Sequence, residues 1–193
     1  MVFGFGKKET TPTVEIKRAE KIGIIVGSTR EGRVSPQVAD YILTLSQAKS
    51  DRHFEIIDIK DFNLPFMGTG EGNPKWNAKI AEMDAFIFIV QEYNHGFSAS
   101  LKNAIDSARE EWFNKAAGIV SYGSAGGVRA SEQLRLVLAE QKIADVRTNP
   151  AFNLFTDFEN FSEFKPGEHM AAGVHDMLDE IFTWADALVT INK

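Results

Sequence analysis

The stretch Gly27-Ser28-Thr29-Arg30-Glu31-Gly32-Arg33-Val34-Ser35 gathers three hydroxyls and two guanidiniums into one glycine-bounded turn. It joins a β-branched apolar run to an amphipathic stretch that opens on Ser35-Pro36. Backbone N–H groups and a helix dipole then converge on a pocket that favours an anion. The turn lacks the GxGxxG dinucleotide fingerprint. It also fails as a P-loop, because Arg33 and Val34 stand where the lysine and the magnesium-binding hydroxyl belong. A terminal phosphate held by hydroxyls, amides and an arginine suits these residue types better than nucleotide hydrolysis does. The plainer alternative is a polar turn capped by Ser35, but two arginines in such a turn have little folding purpose.

Two further loops carry side chains for a flat ligand. Glu92-Tyr93-Asn94-His95-Gly96 offers a ring for stacking, with amide and imidazole groups for edge hydrogen bonds. Tyr122-Gly123-Ser124-Ala125-Gly126-Gly127 offers glycines that let backbone approach a ligand closely. Plainer roles stay open for each: Arg33 pairing with Glu31 or solvent, His95 as a surface histidine, Tyr93 and Tyr122 as packing residues. His53, His169 and His175 are scattered without ordered acidic partners, so no metal site is expected, and no Ser-His-Asp order suggests a hydrolase.

These loops need a scaffold that brings them to one rim. Continuous apolar runs at 22–27, 54–59, 85–91, 116–123 and 144–149 read as strands buried on both faces. Between them, helices are expected from Ser35 (with Val38, Tyr41, Ile42 and Leu45 on one face), over Trp76–Met83, from Ser98 and from Gly127, with a last one over His169–Ile191. Strands alternating with helices pair in parallel and build a doubly wound three-layer α/β domain. Its ligands sit outside the carboxyl ends of the strands, which is where all three loops fall. The first twenty residues read as a loosely ordered extension with an edge contact, and 21–193 as one domain. In 151–164, Phe155, Phe158, Phe161 and Phe164 recur every three residues, either as a strap on the sheet edge or as a contact with a partner subunit.

Composition narrows the function. The chain has 193 residues, no cysteine and a net charge of −6. Thiol nucleophiles, disulfides and thiolate metal sites are thereby excluded. The acidic excess argues against nucleic-acid or anionic-membrane partners. It is confined to residues 151–193, where eight acids face two bases, so the first 150 residues are neutral. No run approaches the roughly 20 apolar residues that span a bilayer, and a cytoplasmic location is the expectation.

"GSTREGRVSPQVADYI", "QEYNHGFSASLKNAIDSA" and "YGSAGGVRASEQLR", at these separations, resemble the NADPH-dependent FMN reductase family over about residues 20–150. The resemblance implies a flavodoxin-like fold with strand order 2-1-3-4-5. It implies FMN as cofactor, NADPH or NADH as co-substrate, and a quinone, flavin, azo dye or metal oxyanion as acceptor. Ser28, Arg30 and Ser35, with Arg33 beside them, would hold the FMN phosphate. Glu92, Tyr93, Asn94 and His95 would border the isoalloxazine and ribityl chain, with Ser124, Gly126 and Gly127 at the pyrimidine side. No catalytic side chain is implied, because the flavin carries the chemistry: NAD(P)H stacks, passes a hydride and departs, and the acceptor takes its place. A homodimer or homotetramer is implied as well. Gln91 departs from the family pattern, which has proline before Glu-Tyr-Asn. The rival readings are a flavodoxin-type electron carrier and a non-catalytic FMN-binding interaction protein.

Overall fold

The computed structural model describes residues 15–191. Strand β1 (Lys21–Val26) leads to helix α1 (Ser35–Lys49), β2 (His53–Asp58), α2 (Pro74–Glu82), β3 (Ala85–Gln91), α3 (Ala99–Asp106), β4 (Ala116–Gly123) and α4 (Val128–Glu140). The sheet order is β2-β1-β3-β4, continued by β5 (Ala144–Asp145), with every pairing parallel. This is the flavodoxin-like 2-1-3-4-5 arrangement.

Alternation along the strands assigns the two faces. Ile22, Ile24 and Val26 point to the layer of Val38 and Ile42 of α1. Met177 and Ile181 of the last helix, α5 (Met170–Ile191), complete that layer. Ile25, Phe86 and Phe88 point the other way, to Trp76 of α2, Leu101 of α3 and Leu134 of α4. All seven residues of β3 and all eight of β4 are buried, as central strands covered on both sides must be.

The fifth strand departs from expectation. The run 144–149 is strand only at Ala144–Asp145, and pairing with β4 resumes at β6 (Ala151–Asn153). Pro150 between them has no N–H for the ladder, although its carbonyl still accepts from Ser121 N–H. Asn149 fills the break with its side chain, donating to the Ile119 carbonyl and accepting from Ser131 Oγ.

A small antiparallel hairpin, β7 (Phe158–Glu159) with β8 (Glu163–Phe164), then precedes α5. The phenylalanine repeat divides there: Phe158 and Phe164 pack against the core, while Phe155 and Phe161 are exposed. At the other terminus, residues 1–14 of the expected extension lie outside the described residues. Ala19 N–H donates to Asp186 and Lys17 N–H to Thr190, which lays residues 17–19 along the end of α5.

Candidate functional site

Parallel register places the loop-bearing ends together. Gln91 lies opposite Tyr122, so the loops after β3 and β4 leave the sheet side by side. Val26 lies opposite Asp58, and Gly27 N–H continues the ladder to the Ile89 carbonyl. Two clefts open on this rim. The larger, about 590 Å³, is walled by Ser28, Thr29, Arg30, Leu64, Phe66 and Tyr93. The smaller, about 270 Å³, adds Val34, Tyr122, Leu154 and Phe161. Ser28, Arg30, Gln91 and Tyr93 belong to both.

The two arginines of the first loop part company. Arg33 is nearly buried and forks onto the carboxylate of Asp58, with a further bond to the Ser28 carbonyl. It braces the loop against β2 and also lines the smaller cleft beside Arg30. Glu31, the partner anticipated for Arg33, pairs with Lys60 at 3.0 Å. Arg30 makes no ion pair among the described residues and stands in both clefts.

The end of α1 is built for an acceptor from elsewhere. Asn73 caps α2, Ser98 caps α3, and the Glu92 carboxylate accepts from Arg129 and Ala130 N–H at the start of α4. At α1 the capping position is Val34, with no side-chain bond and no acidic residue in the first turn. Ser35 is expected to cap; instead it is the first helical residue, and its buried hydroxyl turns away from the helix end. It faces Tyr122, whose phenol burial pushes up to about 12, the Ser35 hydroxyl and the two arginines pulling slightly back. An uncapped helix N-terminus and an arginine with no ion pair among the described residues thus stand together at these clefts, a combination that favours an anion.

The loop after β3 is a tight turn. Tyr93 and Gly96 exchange backbone hydrogen bonds at 2.8 and 2.9 Å, and Asn94 and His95 between them have φ of 48° and 68°. Positive φ at both central residues is the type I′ signature. The turn presents Tyr93 to the clefts at 40% exposure. His95 is exposed and tied to α4, its ring meeting Arg129 at 2.8 Å and its carbonyl accepting from Gln133. The Glu92 side chain is only 5% exposed and pairs with Arg129. Burial works to raise its pKa, but the Arg129 guanidinium and the α4 amides outweigh that and hold it below the ordinary carboxylate value. Glu92 thus caps α4, and it also lines the smaller cleft beside Tyr93.

In the loop after β4 the glycines answer to the turn itself. A Cβ on Gly127, at φ 73°, would lie 2.7 Å from the Tyr122 backbone, and one on Gly126 would lie 3.2 Å from Ala151. Gly126 N–H donates to the Gly123 carbonyl, and its own carbonyl accepts from Ser121 Oγ. Ser124 is exposed, its carbonyl accepting from Asn153.

Three features escaped the sequence reading. Asp58 reads as the polar end of a strand, and only register shows it beneath Arg33. Gln91, where the family pattern has proline, is 3% exposed and donates to the Gly27 carbonyl together with Ser98. It pins the first loop to the third strand. Leu154 and Phe161 reach the smaller cleft from the far end of the chain.

A family model described as NADPH-dependent FMN reductase matches residues 20–157. This chain belongs to that family. An NAD(P)H-dependent FMN reductase of Schizosaccharomyces pombe is 35% identical over 160 residues, covering 77% of this chain and 80% of its own. A potato NAD(P)H:quinone oxidoreductase is 33% identical over 130 residues, covering 61% and 66%. Among solved structures, FerB of Paracoccus denitrificans, a flavoenzyme NAD(P)H:(acceptor) oxidoreductase, aligns with a TM-score of 0.70 at 19% identity, covering 88% of this chain and 98% of its own. A Streptococcus pneumoniae flavodoxin aligns at 0.56 and 9% identity, covering 83% and 97%. These two likenesses concern the fold alone. Family membership makes the chain an oxidoreductase flavoenzyme, and as an FMN reductase it needs a place for a phosphate, a polyol and a flat ring. On the rim, the open α1 N-terminus, Arg30 and Ser35 could hold the phosphate, with the Tyr93 ring in the same clefts.

Proposed function

We propose that this chain is an FMN-dependent oxidoreductase that moves two electrons from NAD(P)H to a small acceptor of the quinone class in two successive half-reactions. The observation that carries the reading is the free N-terminus of α1, with Arg30, which makes no ion pair among the described residues, beside it, opening on clefts walled by Tyr93. Ser28, Arg30, Ser35 and the amides of the first loop would hold the FMN phosphate. Tyr93, Asn94 and His95 would border the ring and its polyol, with Ser124, Gly126 and Gly127 on the far side. Bound FMN supplies the hydride chemistry. The chain's own task is to fix the flavin, exclude water from its buried edge and admit reductant and acceptor to the exposed one.

The quinone-reducing relatives support that acceptor class. A single open rim supports alternating occupancy, since two flat substrates would compete for one ring face. A homodimer or homotetramer in the cytoplasm belongs to the same proposal. It is supported by exposed Phe66 and Met67 beside the larger cleft, and by the NAD(P)H pool of that compartment.

Flavin binding tests the phosphate assignment. Apoprotein titrated with FMN and with riboflavin, followed by quenching of flavin fluorescence, should bind FMN at least tenfold more tightly. Equal affinities would remove the anion role from the first loop.

A further inference from the structure

The hairpin β7–β8 carries an aromatic residue that folding does not call for. Ser162 N–H donates to the Glu159 carbonyl at 3.1 Å, closing a turn over Asn160 and Phe161, whose φ values are 50° and 57°. Turns with both central residues left-handed strongly favour Asn-Gly. Asn160 conforms. Phe161 sits where glycine is preferred, in a backbone region that a bulky side chain enters only under strain. Its ring is 60% exposed, so burial does not offset that strain.

The ring is nevertheless held in place. Below it, Phe158 and Phe164 pack 5.0 Å apart against the core. Lys165 ties both strands through Glu159 and Glu163. Gln37, in the first turn of α1, donates to the Ser162 carbonyl at 2.8 Å and accepts from Phe164 N–H at 2.9 Å. The hairpin is therefore fastened to the same helix whose N-terminus forms the anion site. Phe155 meets Phe161 edge-to-face at 5.6 Å and fixes the ring's tilt. Phe161 and Leu154 line the smaller cleft together with Tyr93, Arg30 and Tyr122. The family match ends at residue 157, so Leu154 lies within it and Phe161 beyond it.

We infer that Phe161 is a specificity-determining residue, the aromatic face against which a planar ring docks in the smaller cleft. The inference rests on the flavin reductase reading. A flat ring there has two sources, the isoalloxazine and the substrate, and aromatic contact favours either through offset or edge-on packing. A left-handed turn holds the ring with less freedom than a flexible loop would, so selectivity for planar ligands follows from preorganisation.

The test compares wild type with Phe161→Gly and Phe161→Leu. Glycine relieves the backbone while deleting the ring; leucine keeps apolar bulk without an aromatic face. Thermal midpoint, FMN Kd of the apoprotein, and KM and kcat with 1,4-naphthoquinone and with ferricyanide are measured on each. The expected result is a midpoint for Phe161→Gly at or above wild type, together with about a tenfold loss at one planar ligand, the scale of a single aromatic pair. A rise in quinone KM, with ferricyanide KM unchanged, assigns the ring to the acceptor. A rise in FMN Kd assigns it to the flavin. Phe161→Leu should recover little of either loss. FMN Kd and quinone KM within twofold of wild type in Phe161→Gly would overturn the inference and leave the flavin reading standing. Wild-type apoprotein that fails to bind FMN would overturn both.

Discussion

At the scale of single residues, Arg30 and Arg33 make the clearest contrast, because two identical side chains three positions apart differ in their ion-pair partners among the described residues. Arg33 neutralises Asp58 in a nearly buried fork. Removing it strands a carboxylate, so Arg33→Ala should lower stability by about 1–3 kcal/mol. Arg30 has no ion-pair partner among the described residues to lose. Arg30→Ala should keep its melting temperature and weaken FMN binding by about 1.5–3 kcal/mol, the scale of a hydrogen bond to a charged group. Denaturant unfolding and flavin titration on both variants check the pair; a reversed pattern would exchange the roles. The sequence shows two arginines in a glycine-bounded turn but cannot separate them. What separates them is Asp58, 25 positions from Arg33 and brought beneath it by the pairing of Val26 with Asp58. Glu92 is a similar case. Its position in the motif is legible, yet the amides it caps belong to α4, and only the fold brings them together.

At the scale of elements, α4 carries a pH dependence. The folded-state pKa of Glu92 lies below its ordinary 4.5. Its contribution to stability is therefore full above pH 4.5 and is lost as pH falls through the lowered folded value. Glu92→Gln should cost about 1–2 kcal/mol near neutrality, through a weakened cap and an unpaired Arg129. The gap between variant and wild-type stability should close below pH 4.5. A gap constant from pH 7 to pH 3 would contradict the charge-based account. Elements dominated by apolar runs were readable in advance: 85–91 and 116–123 are strands to the residue, and Ser98 caps α3 as its type and spacing suggest. The miss at 144–149 has a local cause. The run looks continuous, but Asn149-Pro150 removes a ladder donor and splits the strand, with a side chain standing in for backbone. Ser35 reads as the cap of α1 and is not, because its hydroxyl turns inward toward Tyr122, a contact between residues 87 positions apart that spacing cannot reveal.

At the scale of the whole molecule, the order of the parallel sheet gathers loops from residues 27–35, 92–96 and 122–127 onto one rim, and the strap at 154–164 closes it. Phe66 and Met67, 70% and 68% exposed beside the larger cleft, argue for burial against another subunit. Sedimentation equilibrium should give at least twice the 21.5 kDa chain mass, and an active species at the chain mass would place the whole site in one copy. The central claim is that NAD(P)H and the acceptor react in turn with FMN held on this rim, and the anaerobic half-reactions test it most directly. FMN-loaded protein mixed with NADPH or NADH without oxygen should lose its visible flavin absorbance in a single two-electron step, and a stoichiometric quinone should restore it. Absorbance that persists with both nicotinamides, while dithionite still bleaches the flavin, would contradict the enzyme reading and leave a carrier on the same fold.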